Sequence, residues 1–165
     1  MSFVFCVNFI FSQCDGRYDT EIFNSVTKTE DVNYSDVYTG SHHEMDIYTP
    51  NGDTETNRPL ILFMHGGSFY GGDKGDADCR DFCESFAKRG YVTASVNYRL
   101  VGLLDVVNFL TYNSAQYEAV LKATADIRSA IRYFRKDFDS LPWKFKEKFT
   151  NYRNFRNPGF NVEYF

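Results

Sequence analysis

A short apolar segment that leads into a histidine and two glycines constrains the fold of this chain more than any other feature. The segment Leu60–Met64 is apolar throughout, and His65-Gly66-Gly67-Ser68-Phe69 follows it directly. An apolar run of this length predicts a strand that is covered on both faces. Glycine has no Cβ, so the turn after the strand can adopt positive φ angles and bring bare backbone N–H groups close to a ligand. The segment therefore predicts a buried strand that ends in a turn able to hold negative charge.

Strand and helix patterns alternate on both sides of this turn. Strands are predicted at 32–38, 43–48, 59–64 and 91–96, and amphipathic helices at 76–89 and 113–138. The connection 97–112 is predicted as an apolar loop that needs cover. The apolar face of the last helix is predicted to contain Tyr117, Val120, Leu121, Thr124, Ile127, Ile131 and Phe134. This order predicts an α/β fold with a mostly parallel sheet, right-handed crossovers and flanking helices.

Length and charge exclude several classes of partner. A chain of 165 residues can bury the core of one domain. Its net charge of −4 comes from mixed signs, which argues against a nucleic-acid partner because phosphates require a basic face. No apolar run approaches the roughly 18 residues that span a bilayer. We expect no cofactor.

The first fourteen residues read as an atypical signal peptide. Residues 3–7 and 9–11 form a short apolar core, and Ser12 is a small residue at a possible cleavage point. A positive n-region is missing, and a buried N-terminal strand is the alternative. Export to the periplasm or the medium is the expectation, and a cytoplasmic location is the alternative.

The cysteines leave two interpretations open. Cys79 and Cys83 are four residues apart on one helical face, where a mutual disulfide fits poorly. In an exported protein Cys14 could bridge to one of them. In the other interpretation the pair are small buried hydrophobic residues. Without a nearby histidine the pair does not predict a metal site.

The character of the chain changes near Ser140. In residues 139–165 aromatic side chains alternate with basic ones, and no β-branched run occurs. An irregular or out-of-frame tail is the interpretation we favour, and an aromatic-basic ligand surface is the alternative. The expected organisation is a signal segment at 1–14, an α/β part at 15–138 and this tail.

Four motifs in order resemble the N-terminal part of the α/β-hydrolase esterase and lipase family. Residues 65–69 resemble its H-G-G-x-F/W oxyanion turn, and Asp46-Ile-Tyr-Thr-Pro50 resembles its D-I-Y-x-P strand. Residues 90–100 resemble the strand that carries N-Y-R-L, and residues 126–133 resemble the helix before the nucleophile strand. The resemblance covers roughly residues 30–138 and is strongest to bacterial carboxylesterases, with polysaccharide esterases and kynurenine formamidase-like enzymes as more distant relatives.

The resemblance implies a role for each residue of the turn. The N–H groups of Gly67 and Ser68 would bind the oxyanion of a tetrahedral intermediate, and the substrate would be a small-molecule or polymer ester. The residues that would support the turn are His65, Gly66, Phe69, Tyr98 and Arg99.

The chain departs from the family after residue 138. The family's nucleophile lies in G-x-S-x-G, and no such motif occurs in these 165 residues. The histidines, His42, His43 and His65, all precede the place of a nucleophile, and His42-His43 is interpreted as a solvated strand edge. We therefore expect a hydrolase sheet truncated before the nucleophile strand, inactive alone, with Leu60–Met64 as an unpaired edge open to self-association. A non-catalytic binding protein on the same scaffold is the alternative.

Overall fold

The computed structural model describes residues 16–136. The predicted signal segment at 1–14, the tail at 139–165 and any pairing of Cys14 lie outside the described residues. Among the described helices, none is both long enough and apolar enough to cross a membrane.

Within residues 16–136, four strands form one mixed sheet in the order β1-β2-β4-β3. Their bounds are Val26–Asn33 for β1, Glu44–Pro50 for β2, Leu60–Met64 for β3 and Val92–Val96 for β4. β2 is antiparallel to both β1 and β4, whereas β3 and β4 run parallel in the register Leu60↔Val92 to Met64↔Val96. The prediction of a mostly parallel sheet is therefore wrong for the described part of the chain. Parallel neighbours need a crossover connection, and among the four strands only β3 and β4 are joined by a helix, α1.

The outer strand lies earlier in the chain than predicted. It was expected at 32–38, yet β1 occupies Val26–Asn33 and pairs with β2 from Val26↔Pro50 to Asn33↔Glu44. An edge strand is exposed on one face, so its many polar residues hid the strand pattern. The chain leaves the sheet after Asn33 because side-chain oxygens accept hydrogen bonds from the backbone amides there. The Ser35 amide donates to Asn33 Oδ1 at 2.8 Å, and the Tyr38 amide donates to Ser35 Oγ at 2.9 Å.

In the described part of the chain, three α-helices accompany the sheet. α1 spans Ala77–Lys88, α2 spans Val106–Thr111 and α3 spans Asn113–Lys136. The predicted helix at 76–89 agrees with α1. The connection predicted as a loop at 97–112 instead holds a 3₁₀ turn at Leu103–Asp105 followed by α2.

α3 buries a different face from the one predicted. Its buried residues are Ala119, Ala123, Asp126, Ala130 and Phe134. The residues expected in the core include Tyr117 and Leu121, which are 69% and 54% exposed. The prediction followed the largest apolar side chains, but small alanines let the helix lie close to its neighbours, and Asp126 is held by an arginine described below. The correct members of the predicted face are Phe134, which is buried, and Ile127, which packs against the core.

The core lies between the sheet and α3, with a second cluster under α1. The main cluster joins Tyr34, Met45, Ile47, Val92, Ala94, Val96, Ala130 and Phe134. The second joins Tyr48, Cys83 and Ala87. Cys79 and Cys83 are free buried thiols, as the second interpretation of the pair predicted. Burial is the main cause that raises the pKa of Cys79 to about 11 and that of Cys83 to about 12.

β3 lies at an edge of the described sheet. Within residues 16–136 it pairs with β4 alone, and its five residues are half-buried rather than fully covered. Self-association through Leu60–Met64 stays a prediction.

The face that α3 buries can be tested with two matched substitutions. We expect Phe134→Ala to lower the free energy of unfolding by about 3–5 kcal/mol, because it empties a packed core position. Tyr117→Ala removes an equally large aromatic from the exposed face and should change stability by less than about 0.5 kcal/mol. Urea unfolding followed by circular dichroism measures both. An equal loss in the two variants would contradict the observed orientation of the helix.

Candidate functional site

The turn after β3 combines unusual backbone angles with high exposure. Three consecutive residues have positive φ, at 109° for Gly67, 53° for Ser68 and 68° for Phe69. Gly72 follows with φ of 93°. Side chains rarely adopt such angles, and a run of three is held only where the surroundings fix it. The turn stands at the carboxyl end of a parallel strand, where α/β folds place their ligand sites.

Two of the glycines are required by space as well as by angle. A Cβ on Gly67 would overlap the carbonyl group of Gly71, and one on Gly72 would overlap the Gly66 carbonyl and the His65 ring. A Cβ on Gly66 would meet no atom within 4 Å. The turn is therefore folded back closely on itself at Gly67 and Gly72 but not at Gly66.

The His65 side chain is fully engaged in holding the turn. It is buried, and its Nδ1–H donates to the Gly66 carbonyl at 2.7 Å. Its ring stacks on Tyr98 with centroids 4.4 Å apart and an angle of 15° between the planes. The Tyr98 hydroxyl in turn donates to the His65 carbonyl at 3.0 Å. Because its ring is stacked and bonded to the backbone, His65 is suited to bracing the turn.

The amides of Gly67 and Ser68 lie in the exposed part of the turn. Gly67 and Ser68 are exposed, and their amides make no hydrogen bond to any residue between 16 and 136. The Gly67 carbonyl, by contrast, accepts hydrogen bonds from the amides of Tyr70 and Gly71, both at 3.1 Å. On the far side the Val101 amide donates to the Phe69 carbonyl at 2.7 Å. The Gly67 and Phe69 carbonyl groups thus have partners, whereas the adjacent amides of Gly67 and Ser68 have none within residues 16–136, an arrangement suited to binding an anion.

Asn97 anchors the segment that follows the turn. Its Oδ1 accepts a hydrogen bond from the Lys74 amide at 2.6 Å, and its Nδ2 donates to Asp73 Oδ2 at 2.9 Å. The same Nδ2 donates to the Ser41 carbonyl at 3.0 Å. One side chain at the end of β4 therefore fixes both the exit of the turn and the start of β2.

A buried charge cluster lies beneath this anchor. Lys74 Nζ contacts Asp46 Oδ1 at 2.6 Å and Asp31 Oδ1 at 2.7 Å, while Lys28 Nζ contacts the other Asp46 oxygen at 2.9 Å. Burial alone would raise the pKa of Asp46, but hydrogen bonds from both lysines lower it below its usual value. Burial would likewise lower the pKa of Lys74, yet its contacts with Asp31 and Asp46 raise it. Both groups are therefore charged at neutral pH.

Arg99 ties the end of β4 to α3. Its side chain contacts Asp126 through Nε at 2.9 Å and through Nη2 at 2.8 Å, and its amide also donates to Asp126 at 2.9 Å. The hydrogen bonds with Asp126 are the main cause that raises the pKa of Arg99. Among residues 16–136, its neighbour Tyr98 contacts the turn at His65, whereas the Arg99 side chain contacts Asp126, Lys122 and Tyr38.

His43 is buried, so the interpretation of His42-His43 as a solvated strand edge is wrong for this residue. Only 7% of His43 is exposed, and its ring stacks on Tyr38 with centroids 5.1 Å apart. Its Nε2 lies 3.7 Å from Asp126 Oδ1. Burial is the main cause that lowers the pKa of His43, while Asp126 opposes the shift. The cause of its burial is the segment after β1, whose Tyr38 folds over it.

Asp46, Asp73, Lys74 and Asn97 hold the turn from the side of the sheet and were not among the predicted site residues. Asp46 and Asn97 lie inside recognised motifs, but only the packing shows that the four residues form one network. The signal in the sequence was Asp46, a charged residue in a strand, because a buried charge needs a partner.

The sequence profile of the BD-FAE family matches residues 45–148, which is more than half of the chain. The chain belongs to the BD-FAE family of esterases. The matched segment contains the turn, the end of β4 and the whole of α3, so the family spans the anchors described above. The chain is thereby related to carboxylesterases.

Solved structures share the fold at low identity. Esterase B from Lactobacillus rhamnosis, inhibited by a C4-C4 SN3 tributyrin phosphonate, is 19% identical with a TM-score of 0.54, over 77% of this chain and 35% of that one. A bifunctional GH43-CE protein from Bacteroides eggerthii is 21% identical with a TM-score of 0.51, over 72% of this chain and 13% of that one. The chain thus spans about a third of the length of esterase B. No curated protein sequence matches it.

Substitution by alanine should have different effects at the adjacent positions Gly66 and Gly67. Gly67→Ala should lower the free energy of unfolding by about 1–3 kcal/mol, because it forces a Cβ into positive φ and against a carbonyl group. Gly66→Ala places its Cβ in open space and should change stability by less than about 0.5 kcal/mol. Equilibrium unfolding in urea compares the two. If Gly66→Ala is the more damaging change, the observed path of the backbone is wrong.

The buried cluster predicts a loss of stability in acid. The pKa of Asp46 is lower in the folded chain than its ordinary value of 3.8, so its stabilising contribution is complete above that value. This contribution is lost as the pH falls through the folded pKa. At neutral pH Asp46→Asn should lower the free energy of unfolding by about 3–5 kcal/mol, because it removes the buried partner of the buried Lys74 and one partner of the half-buried Lys28.

The measurement is the free energy of unfolding from pH 7 down to pH 3. The difference between the wild type and Asp46→Asn should shrink below about pH 4. Asp81→Asn changes an exposed carboxylate on α1 and serves as the matched control, which should follow the wild type throughout. A difference that stays constant across the range would contradict the ionised state of Asp46.

Proposed function

We propose that this chain supplies the oxyanion hole of a serine carboxylic-ester hydrolase. In this proposal the amides of Gly67 and Ser68 donate to the oxygen that becomes negative when an ester carbonyl is attacked. The observation that carries the proposal is the pair of exposed, unbonded amides in a braced turn of positive φ. Donors held in place before the reaction need no reorganisation, and each is worth about 100- to 1000-fold in rate.

The supports of the turn favour this role over simple structural use. His65 and Tyr98 hold it from one side, Asn97 holds its exit, and the Phe69 carbonyl is tied to the start of the segment that leads to α2. Phe69 and Tyr70 also face Phe109 of α2, at 6.5 and 6.2 Å between ring centroids. An apolar wall beside the two donors suits the acyl or alcohol part of an ester, whether a small molecule or a polymer.

We further propose that the 165-residue chain does not catalyse ester hydrolysis by itself. The sequence contains no G-x-S-x-G, and no histidine follows His65. Ser68 comes closest to a nucleophile, but it lies within the turn whose backbone would bind the oxyanion. The nucleophile, the acid and the base of the reaction would have to come from outside these residues.

A non-catalytic binding protein on the same scaffold is the second candidate. The absence of G-x-S-x-G from the sequence also favours this candidate. A hydrolase scaffold without a nucleophile can still bind an anion at the braced turn. The two candidates make the same prediction for anion binding and differ only in turnover.

An alkylphosphonate titration tests the proposed oxyanion hole. A tetrahedral phosphonate carries anionic oxygens like those of the intermediate. In nitrogen–proton correlation spectra, butylphosphonate should shift the amide protons of Gly67 and Ser68 downfield, whereas the turn glycine Gly52 serves as a remote reference. Gly67→Ala should abolish the shift and Gly66→Ala should retain it. A shift that is uniform over the surface, or unchanged in Gly67→Ala, would contradict the proposal.

Turnover is tested with p-nitrophenyl acetate. The purified chain should release p-nitrophenol no faster than the Gly67→Pro variant, in which the turn cannot keep its positive φ. Release that is faster in the wild type and lost in Gly67→Pro would show that the chain is an active esterase, which would refute both our proposal of inactivity and the binding-protein alternative.

A further inference from the structure

A groove with arginines along one wall lies beside the C-terminal half of α3. Residues 33–38, at the end of β1 and after it, form one side, and α3 residues between Ala125 and Lys136 form the other. The volume between them is about 990 Å³. We call this space the arginine groove. Neither Gly67 nor Ser68 lines it, so it is a different site from the proposed oxyanion hole.

The arginine groove carries an excess of positive charge in a chain whose net charge is −4. Five cationic side chains and two carboxylates line it. Arg99 and Lys136 are paired with these carboxylates, at 2.8 Å from Asp126 and 3.0 Å from Asp36. The other three are exposed and form no ion pair within the described part of the chain: Arg128, Arg132 and Arg135. Arg132 donates one hydrogen bond from Nη2 to Ser129 Oγ, at 2.6 Å. Its remaining N–H groups and the other two guanidinium groups are therefore available to an anionic ligand.

The spacing of these arginines selects a ligand with repeated anionic groups. Positions 128, 132 and 135 are three and four residues apart, so the side chains follow one another along one face of α3. With 1.5 Å of rise per residue the row extends over about 10 Å. A guanidinium group binds a carboxylate through two parallel hydrogen bonds, which gives each position its own partner.

An aromatic side chain on the opposite wall selects the uncharged part of the ligand. Tyr38 is 51% exposed, although its ring is held in place by stacking on His43 and by the Arg99 guanidinium 5.4 Å from its centroid. A sugar ring presents a flat face of C–H groups to such an aromatic surface, and an acidic sugar also carries one carboxylate per unit. An acidic peptide offers the charges without the flat face.

We propose that the arginine groove binds an acidic oligosaccharide, a chain of sugar rings that carries carboxylates. The carboxylates lie along the arginines of α3, and a ring packs against Tyr38. The proposal does not depend on ester hydrolysis, because binding alone tests it and the oxyanion hole is not involved.

Calorimetric titration of the full chain with a galacturonic acid trisaccharide tests the proposal. The matched neutral ligand is the galactose trisaccharide, in which CH₂OH replaces each carboxylate. We expect the acidic trisaccharide to bind and the neutral one to bind at least tenfold more weakly. Arg132→Gln should weaken binding about five- to tenfold, and the double change Arg128→Gln/Arg132→Gln should weaken it further.

Arg80→Gln is the control variant, because it removes an exposed arginine from α1, outside the groove. It should bind like the wild type, and all three variants should melt at the wild-type temperature. Equal binding of the neutral trisaccharide, or unchanged binding in the double variant, would overturn the proposal. Tighter binding of a glutamate tripeptide than of the acidic trisaccharide would overturn it in favour of a peptide ligand, and no binding of either would overturn it outright.

Discussion

The buried ion pair between Lys74 and Asp46 is the contact on which the candidate site depends. It joins the segment after the turn to the central strand β2, at 2.6 Å and with almost no exposure of the carboxylate. Two charges removed from water are stable only when each is fully paired. Movement of Lys74 away from Asp46 would therefore leave a buried carboxylate short of a partner, which is energetically unfavourable. This requirement fixes the exit of the turn relative to the sheet, and the positive φ angles of Gly67, Ser68 and Phe69 are then confined between two fixed ends.

The other residues that hold the turn follow β3 and β4, the two strands that end at this edge of the sheet. β3 brings His65, and β4 brings Asn97 and Tyr98, which bond to opposite ends of the turn. Because β3 and β4 are parallel and in register, Met64 and Val96 stand side by side and these residues meet directly after them. The positions of the Gly67 and Ser68 amides therefore follow from one strand pairing rather than from the turn sequence alone.

Local signals in the sequence were sufficient for the elements that position the turn. Local patterns predict β3 from its apolar run, β2 from its alternation and the end of α1 from the glycine after it. The glycines of the turn likewise predict its positive φ angles. Two predictions failed because their signal is not local. β1 is polar because it is an edge strand, and the face of α3 is chosen by alanines and by Asp126, which pairs with Arg99 far away in the sequence. The network of Asn97 and Lys74 likewise exists only after the strands have come together.

The separation between bracing and chemistry explains how this turn can be well formed without an identifiable nucleophile. Within residues 16–136, the hydrogen bonds and ion pairs that hold the turn come from residues between 31 and 101, at the sheet edge on which it stands. The groups that attack an ester and move its protons would add nothing to these anchors, since they act on the substrate and not on the turn. The anion binding that we propose for this turn therefore depends on this part of the fold alone, and we expect it to persist in this chain whether or not turnover does.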